Sequence, residues 1–402
     1  MFSHARDAFV FDERGRRYID FLSGAGSLNY GHNNGILKRA VIEYIEQDGI
    51  THSLDLATGS KRRFIERFQS IILAPRGMSY KFQFTGPTGT NGVEAALKLA
   101  RKVTGRKNVV SFTGAYHGLT AGALAVTANS FYRSESFVSR QDVSFLPFDG
   151  YLGTADTMPF IRKALTDPAS GIDHPAAVIL ETVQSEGGIN VASTRWLQSL
   201  QALCRERGIL LIVDDIQVGN GRTGMYFSFE RAGLDPDIVI LSKSISGFGL
   251  PMTIVLIRPE LDVWKPGEHS GTFRGNNLAF VAGAEAMSFW ENEGLAREVR
   301  AKGARVESRL RAMATRHPEI GADVRGEGLI RGIDVREPEL AAAVRKAAFD
   351  SGLIVELCGA ADTVVKILPP LTIETQVLDE GLTILDHVMS RCAGKAVACQ
   401  AG

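Results

Sequence analysis

Short apolar runs rich in β-branched residues recur along the first two thirds of the chain, each closed by a polar or glycine-bearing turn. They lie at Asn108 to Phe112, Val143 to Leu146, Ala176 to Leu180, Ile209 to Val213, Asp237 to Leu241 and Thr253 to Ile257. Between several of them the apolar positions shift to helical spacing, as in GVEAALKLARKV from Gly92 and TRWLQSLQALCRER from Thr194. Apolar strands alternating with amphipathic helices predict an α/β fold whose largely parallel sheet is covered on both faces. Functional groups are then expected just past the strands' C-terminal ends.

From about Glu291 the texture changes to a long charged helix, a glycine-rich stretch VRGEGLIRGIDV, another helix, the segment TVVKILPPLTI and a closing helix. This predicts a smaller α+β domain. The opening AFVFDERGRRYIDF has the alternation of a hairpin, and chain ends often meet. The expected division is an N-terminal segment, residues 1–45, packed on a small C-terminal domain, residues 291–402, with a large domain at 46–290 between them.

The bulk composition narrows the partners. Lysine plus arginine equals aspartate plus glutamate at 45 each, which offers no basic surface for nucleic acid or anionic lipid. Small molecules are expected instead. Cys204, Cys358, Cys392 and Cys399 are scattered without C-x-x-C spacing, against a zinc site or a disulfide framework and in keeping with a reducing compartment. The start has no apolar core of signal-peptide length, and no later segment is long and apolar enough to span a bilayer. A cytoplasmic protein is expected.

Three strand ends carry the chemistry. ILLIVDDIQVG delivers Asp214 and Asp215, DIVILSKS delivers Lys243, and AAVILETVQSEGG delivers Glu181. A lysine at the end of a core strand is costly unless it is paired, escapes along its alkyl stem, or has a task there. If the strands are neighbours, an acid and a lysine project into one crevice. Pyridoxal phosphate catalysis needs that pair: the amine forms a Schiff base with the cofactor aldehyde, and a carboxylate keeps the pyridine nitrogen protonated. A phosphate cradle follows from TGPTGTNGVEAALKLAR, where Gly86, Gly89 and Gly92 permit a tight backbone, Thr88 and Thr90 supply hydroxyls, and a helix begins at once. SFTGAYHG ends a strand with Tyr116, suited to cover a planar ring, and His117. Each feature alone fits a surface lysine, a helix cap or an ordinary turn; their joint order favours the cofactor. GNGRTG, Gly219 to Gly224, matches a dinucleotide fingerprint but lies too far past its strand and precedes no clear helix.

With these residues in view, the chain resembles the class III pyridoxal-phosphate aminotransferases, from about Phe9 to His387. Through DFLSGAGSLNYGHNN, GITHSLDLATGSK, LIVDDIQVGNGRTG, SKSISGFGLPM and KPGEHSGTFRGNNLAF it is most similar to the branch acting on diaminobutyrate in ectoine synthesis. The resemblance implies a fold type I, aspartate aminotransferase-like architecture with a seven-stranded sheet. It implies that Lys243 forms the internal aldimine with pyridoxal 5'-phosphate and Asp214 pairs with the ring nitrogen. By the same resemblance Gln217 reaches the phenolic oxygen, Tyr116 stacks on the ring beside His117, and Gly89 with Thr90 binds the phosphate. Thr272 in GTFRG would complete the phosphate site of a partner subunit, so a homodimer is implied. The expected substrates are an amino donor, L-2,4-diaminobutyrate foremost, and 2-oxoglutarate, with other terminal amines or a same-fold mutase or decarboxylase as alternatives.

The class's acidic gate residue falls at Glu186 and its usual arginine partner at Lys366. Two readings of Lys366 stay open, a gate partner and a solvent-facing strand residue. Gly35 stands where proline is usual, Ser185 where glycine is, and Asn220 where this branch usually has cysteine. The chain also starts later than its relatives, which bears on the substrate entrance. Asp55 is read as a solvated helix cap, with contact to the substrate's distal charge as the alternative.

Overall fold

The computed structural model describes residues 1–133 and 142–400, the last seven of these for their backbone alone. Its centre is a seven-stranded sheet of β1 (Lys81–Phe84), β2 (Val109–Phe112), β3 (Val143–Leu146), β4 (Ala177–Leu180), β5 (Leu210–Asp214), β6 (Ile238–Leu241) and β7 (Ile254–Ile257), in the order β1-β7-β6-β5-β4-β2-β3. All neighbours pair in parallel except those of β7, which runs antiparallel to β6 and β1. Strands β2, β4, β6 and β7 are buried at every position, which explains their unbroken apolar character: a sheet covered on both faces leaves no side for polar residues. Helices α1 (Gly89–Thr104) and α2 (Thr194–Arg207) supply part of that cover, capped at their ends by Gly105 and Gly208 in left-handed geometry.

Six of the seven strands stand where the apolar runs predict them, within a residue at each end. The seventh, β1, reads KFQF, an alternating edge strand in which only Phe84 is fully buried. So short a mixed segment carries little apolar signal, and β1 escapes the pattern for that reason.

Beyond Glu291 a second, antiparallel sheet joins Asp323–Glu327, Ile330–Asp334, Val364–Ile367 and Glu356–Cys358 in that order. The N-terminal hairpin forms between Phe9–Asp12 and Arg17–Asp20. Arg17–Asp20 also pairs in parallel with Leu353–Ile354, so the start of the chain is stitched to its last third. GNGRTG folds as turns, not as a dinucleotide loop. Its Arg222 is fully buried and reaches the carbonyls of Leu329, at 3.0 Å, and Pro369, together with Asn29 Oδ1. A planar guanidinium with several fixed donors can hold three separate chain segments at once.

Ile212 lies at the middle of the central strand with no exposed surface. Ile212→Ala is expected to cost about 2–5 kcal/mol of stability through lost burial and a residual cavity, read as a lower urea midpoint with an unchanged slope.

Candidate active site

Parallel register brings the charged strand ends together. Leu180 of β4 is level with Val213 of β5, and Asp214 is level with Ile240 of β6. Glu181 therefore leaves β4 beside Asp214, and Lys243 follows β6 by two residues. Lys243 adopts a left-handed φ of 52°, a conformation that costs a non-glycine residue about 1–3 kcal/mol and concentrates at functional sites. The turn lets its half-buried side chain line a cavity of about 330 Å³, shared with Asp214 and Glu181.

The N-terminus of α1 opens into the same cavity through Gly89 and Thr90. Thr88 turns its hydroxyl toward the helix, donating to Asn91 Oδ1 at 2.8 Å, while its backbone N–H donates to the same oxygen at 3.2 Å. Thr90 and Thr120 share a hydroxyl hydrogen bond of 2.6 Å. Free amides at the start of a sixteen-residue helix make an anion site. The backbone there is tight: a Cβ on Gly89 would meet Ile216 Cδ1 at 2.9 Å, and one on Gly118, at φ 117°, would meet Thr90 Oγ1 at 2.6 Å.

His117, completely enclosed, donates from Nδ1 to Asp214 Oδ2 at 2.7 Å, and the backbone N–H of Ile216 donates to Asp214 Oδ1 at 3.1 Å. An ionised carboxylate only accepts, so these donors fix the orientation of Asp214 and the tautomer of His117. The next residue, Asp215, points elsewhere: it accepts from Ser228 N at 3.1 Å and from the Ser228 hydroxyl. Burial pushes Asp215 up to about 7 against those hydrogen bonds. One aspartate of the pair serves the cavity and the other braces the loop behind it.

Burial lowers the Lys243 amine to about 8, opposed by Glu186, reinforced by Lys366 and opposed again by Asp214 and Glu181. Glu181 is 9% exposed, its Oε2 has no hydrogen-bond partner among the described residues, and burial followed by the Asp214 charge pushes it well above the usual carboxyl range. Glu186 moves the other way. Burial raises it, but the Lys366 charge and hydrogen bond outweigh that and hold it low. Gln217 donates from Nε2 to the carbonyl of Ala25 at 2.9 Å, tying the cavity floor to the N-terminal segment.

Lys366 is fully buried, which overturns its reading as a solvent-facing residue. Its Nζ lies 2.7 Å from Glu186 Oε1 and 3.1 Å from Glu356 Oε2. Burial works to lower this ammonium, yet Glu186, with Cys358 and Glu356, raises it above the ordinary lysine range. Asp55 caps no helix either: Thr58 caps the Gly59–Arg67 helix, accepting from Lys61 N at 3.2 Å, while Asp55 is an exposed turn residue paired with Arg274.

Lys243, Asp214, Gly89, Thr90, Tyr116, His117, Glu186 and Gln217 all line this one cavity. Tyr116 stands half-buried in its wall, its ring edge-on to Tyr132 at 5.3 Å. Thr272 does not line it; it is exposed, and its carbonyl accepts from His52 Nε2 at 3.0 Å. Sequence reasoning passed over Ile216, whose side chain forms an apolar wall against Gly89. Its position two residues after the strand-end aspartate was the available signal.

The family described as aminotransferase class-III matches residues 1–389. The chain belongs to the class-III aminotransferases. It is 55% identical over 390 residues to a diaminobutyrate--2-oxoglutarate transaminase of Wolinella succinogenes, covering 97% of this chain and 91% of the relative. It is 54% identical over 397 residues to one of Nocardia farcinica, covering 98% and 91%. An ornithine aminotransferase structure from Toxoplasma gondii superposes with a TM-score of 0.86 at 26% identity, covering 98% of this chain and 90% of that one. The α/β architecture is thus that of a pyridoxal-phosphate aminotransferase, and the enzyme transfers an amino group from a donor to a 2-oxo acid.

Class-III aminotransferases work with pyridoxal 5'-phosphate, and the residues present fit that group. A helix N-terminus suits the phosphate, a fixed carboxylate a cationic ring nitrogen, and a lysine with a lowered pKa an aldehyde. Gly118→Ala would strain a left-handed position and press on Thr90. It is expected to raise the Kd for pyridoxal 5'-phosphate about tenfold or more in equilibrium titration, with an unchanged far-UV spectrum.

Proposed function

We propose that this class-III aminotransferase is a homodimer that moves the terminal amino group of a diamino acid, L-2,4-diaminobutyrate foremost, to 2-oxoglutarate. L-Aspartate 4-semialdehyde and L-glutamate form the opposite pair. The observation that carries this reading is the meeting of Lys243, Asp214 and the α1 N-terminus in one cavity of a chain 55% identical to a diaminobutyrate--2-oxoglutarate transaminase.

In this reading Lys243 holds the cofactor through its amine, Asp214 its ring nitrogen, Gly89 and Thr90 its phosphate, Gln217 its phenolic oxygen, and Tyr116 and Ile216 its two faces. The bound cofactor supplies an electron sink for the bond to the substrate's reacting carbon. The chain supplies the rest. His117 and the Ile216 N–H hold Asp214 in place. Lys243, lowered to about 8, can release and recover a proton at Nζ near neutral pH, which suits a group that carries a proton to and from the substrate. Ile216 and Val218 supply apolar surface beside these groups.

Thr272 would complete the phosphate site of the partner subunit. Its exposure away from its own cavity supports this, as do Leu56 and Phe273, left 65% and 68% exposed. The same reading assigns residues 46–290 to the cofactor-binding domain, and 291–402 with 1–45 to the domain that brings Lys366. A reducing, cytoplasmic location accords with Cys204 and Cys358, buried and without a disulfide. Among the described residues, no helix is long and apolar enough to cross a membrane.

Lys243→Ala is expected to lose turnover on the order of a thousandfold or more while still binding pyridoxal 5'-phosphate. Steady-state assay with L-2,4-diaminobutyrate and 2-oxoglutarate, beside a cofactor titration, reads both; wild-type turnover by the alanine variant would overturn the assignment. The amine must be neutral to capture an aldehyde, and burial places its titration near 8. Stopped-flow mixing of the apoenzyme with cofactor should therefore show a rate that climbs as pH rises through about 8 and levels off above it.

A further inference from the structure

Lys366 stands between two carboxylates of different placement. Glu186, at 2.7 Å, belongs to the cavity wall; Glu356, at 3.1 Å, does not. Glu356 sits on the neighbouring strand in antiparallel register with Lys366. The Lys366 side chain has no exposed surface, whereas those of Glu186 and Glu356 are 22% and 40% exposed. One ammonium and two carboxylates sum to a single negative charge, so the wall behind Glu186 is not neutral. Without Glu356 the remaining pair would cancel. A second feature points the same way: Glu181, nine-tenths buried, lines this cavity with Oε2 unpartnered among the described residues, an acceptor for an N–H.

We propose that Glu356 determines amino-donor specificity. It leaves the Glu186–Lys366–Glu356 cluster at one end of the cavity one negative charge in excess, favouring a donor whose non-reacting end carries an ammonium over one whose far end is a carboxylate alone. The inference rests on the proposed function, since it concerns which donors the same site prefers. A diamino acid reacting through its terminal amine presents an α-ammonium and an α-carboxylate at the far end, with no net charge. An ω-amino acid such as 4-aminobutyrate presents a carboxylate alone. Both react through a primary amine on a CH2 group, so the charge at the far end is the main difference the wall can read. A unit charge at roughly 8–10 Å in an effective dielectric of about 20 changes the binding of another unit charge by about threefold after screening.

The test is steady-state kcat/KM of the holoenzyme for L-2,4-diaminobutyrate and for 4-aminobutyrate, each with 2-oxoglutarate, in the wild type and in Glu356→Gln, Glu356→Ala and Glu356→Asp. Gln and Ala, which remove the charge with different shapes, are expected to lower the ratio of the two values about threefold, while Asp, which keeps it, stays near the wild type. A loss shared equally by both donors marks a structural role and overturns the inference, as does an unchanged ratio. Wild-type turnover with neither donor overturns the proposed function, and this inference with it.

Discussion

Parallel pairing of three strands is the constraint on which the site depends. Because β4, β5 and β6 run the same way and in register, their C-terminal ends open on one side of the sheet, and Glu181, Asp214 and Lys243 emerge together. Side chains alternate along a strand, so a slip of one residue in β5 would exchange Asp214 for Asp215 at the crevice. The two aspartates have opposite tasks, one facing the cavity under His117 and the other buried against Ser228. Their partners fix which is which: His117 and the Ile216 N–H hold Asp214, while Ser228 holds Asp215.

The second level of organisation is electrostatic. Glu181 and Glu186 start from the same intrinsic acidity and are driven apart by their surroundings. Glu181 has burial and the Asp214 charge against its ionisation, whereas Glu186 has Lys366 at hydrogen-bond distance. The two carboxyls of a single cavity are thereby pushed in opposite directions, Glu181 upward by burial and the Asp214 charge and Glu186 downward by Lys366. Lys243 lies between these influences, and burial decides its direction because no neighbour is close enough to appear as a hydrogen-bond partner among the described residues.

Much of this was legible because its signals are local. A run of β-formers ending in a charge, or glycines and threonines ahead of an amphipathic helix, states its role within a dozen residues; Lys243, Asp214 and Gly89 were read that way. Lys366 was not. In TVVKILPP it looks like the polar position of a half-exposed strand, and the partners that justify its burial lie at positions 186 and 356, one of them half a chain away. The edge strand β1 failed for a different reason, its two polar residues in KFQF diluting the pattern. Arg222 carries no local signal of its burial, because Leu329 and Pro369, whose carbonyls it holds, lie more than a hundred residues along the chain.

A lysine in place of the arginine implied by the class resemblance changes what the position can do. A guanidinium grips a carboxylate through two parallel hydrogen bonds along one edge, and all its donors lie in a single plane. An ammonium is a point charge with three donors in separate directions, so Glu186, from a turn, and Glu356, from the neighbouring strand, can approach without sharing one plane. Full burial demands such partners, because an enclosed ammonium left with none would be strongly destabilised. The substitution and the second carboxylate therefore belong together: Lys366 makes room for Glu356, and Glu356 helps make a buried lysine tolerable.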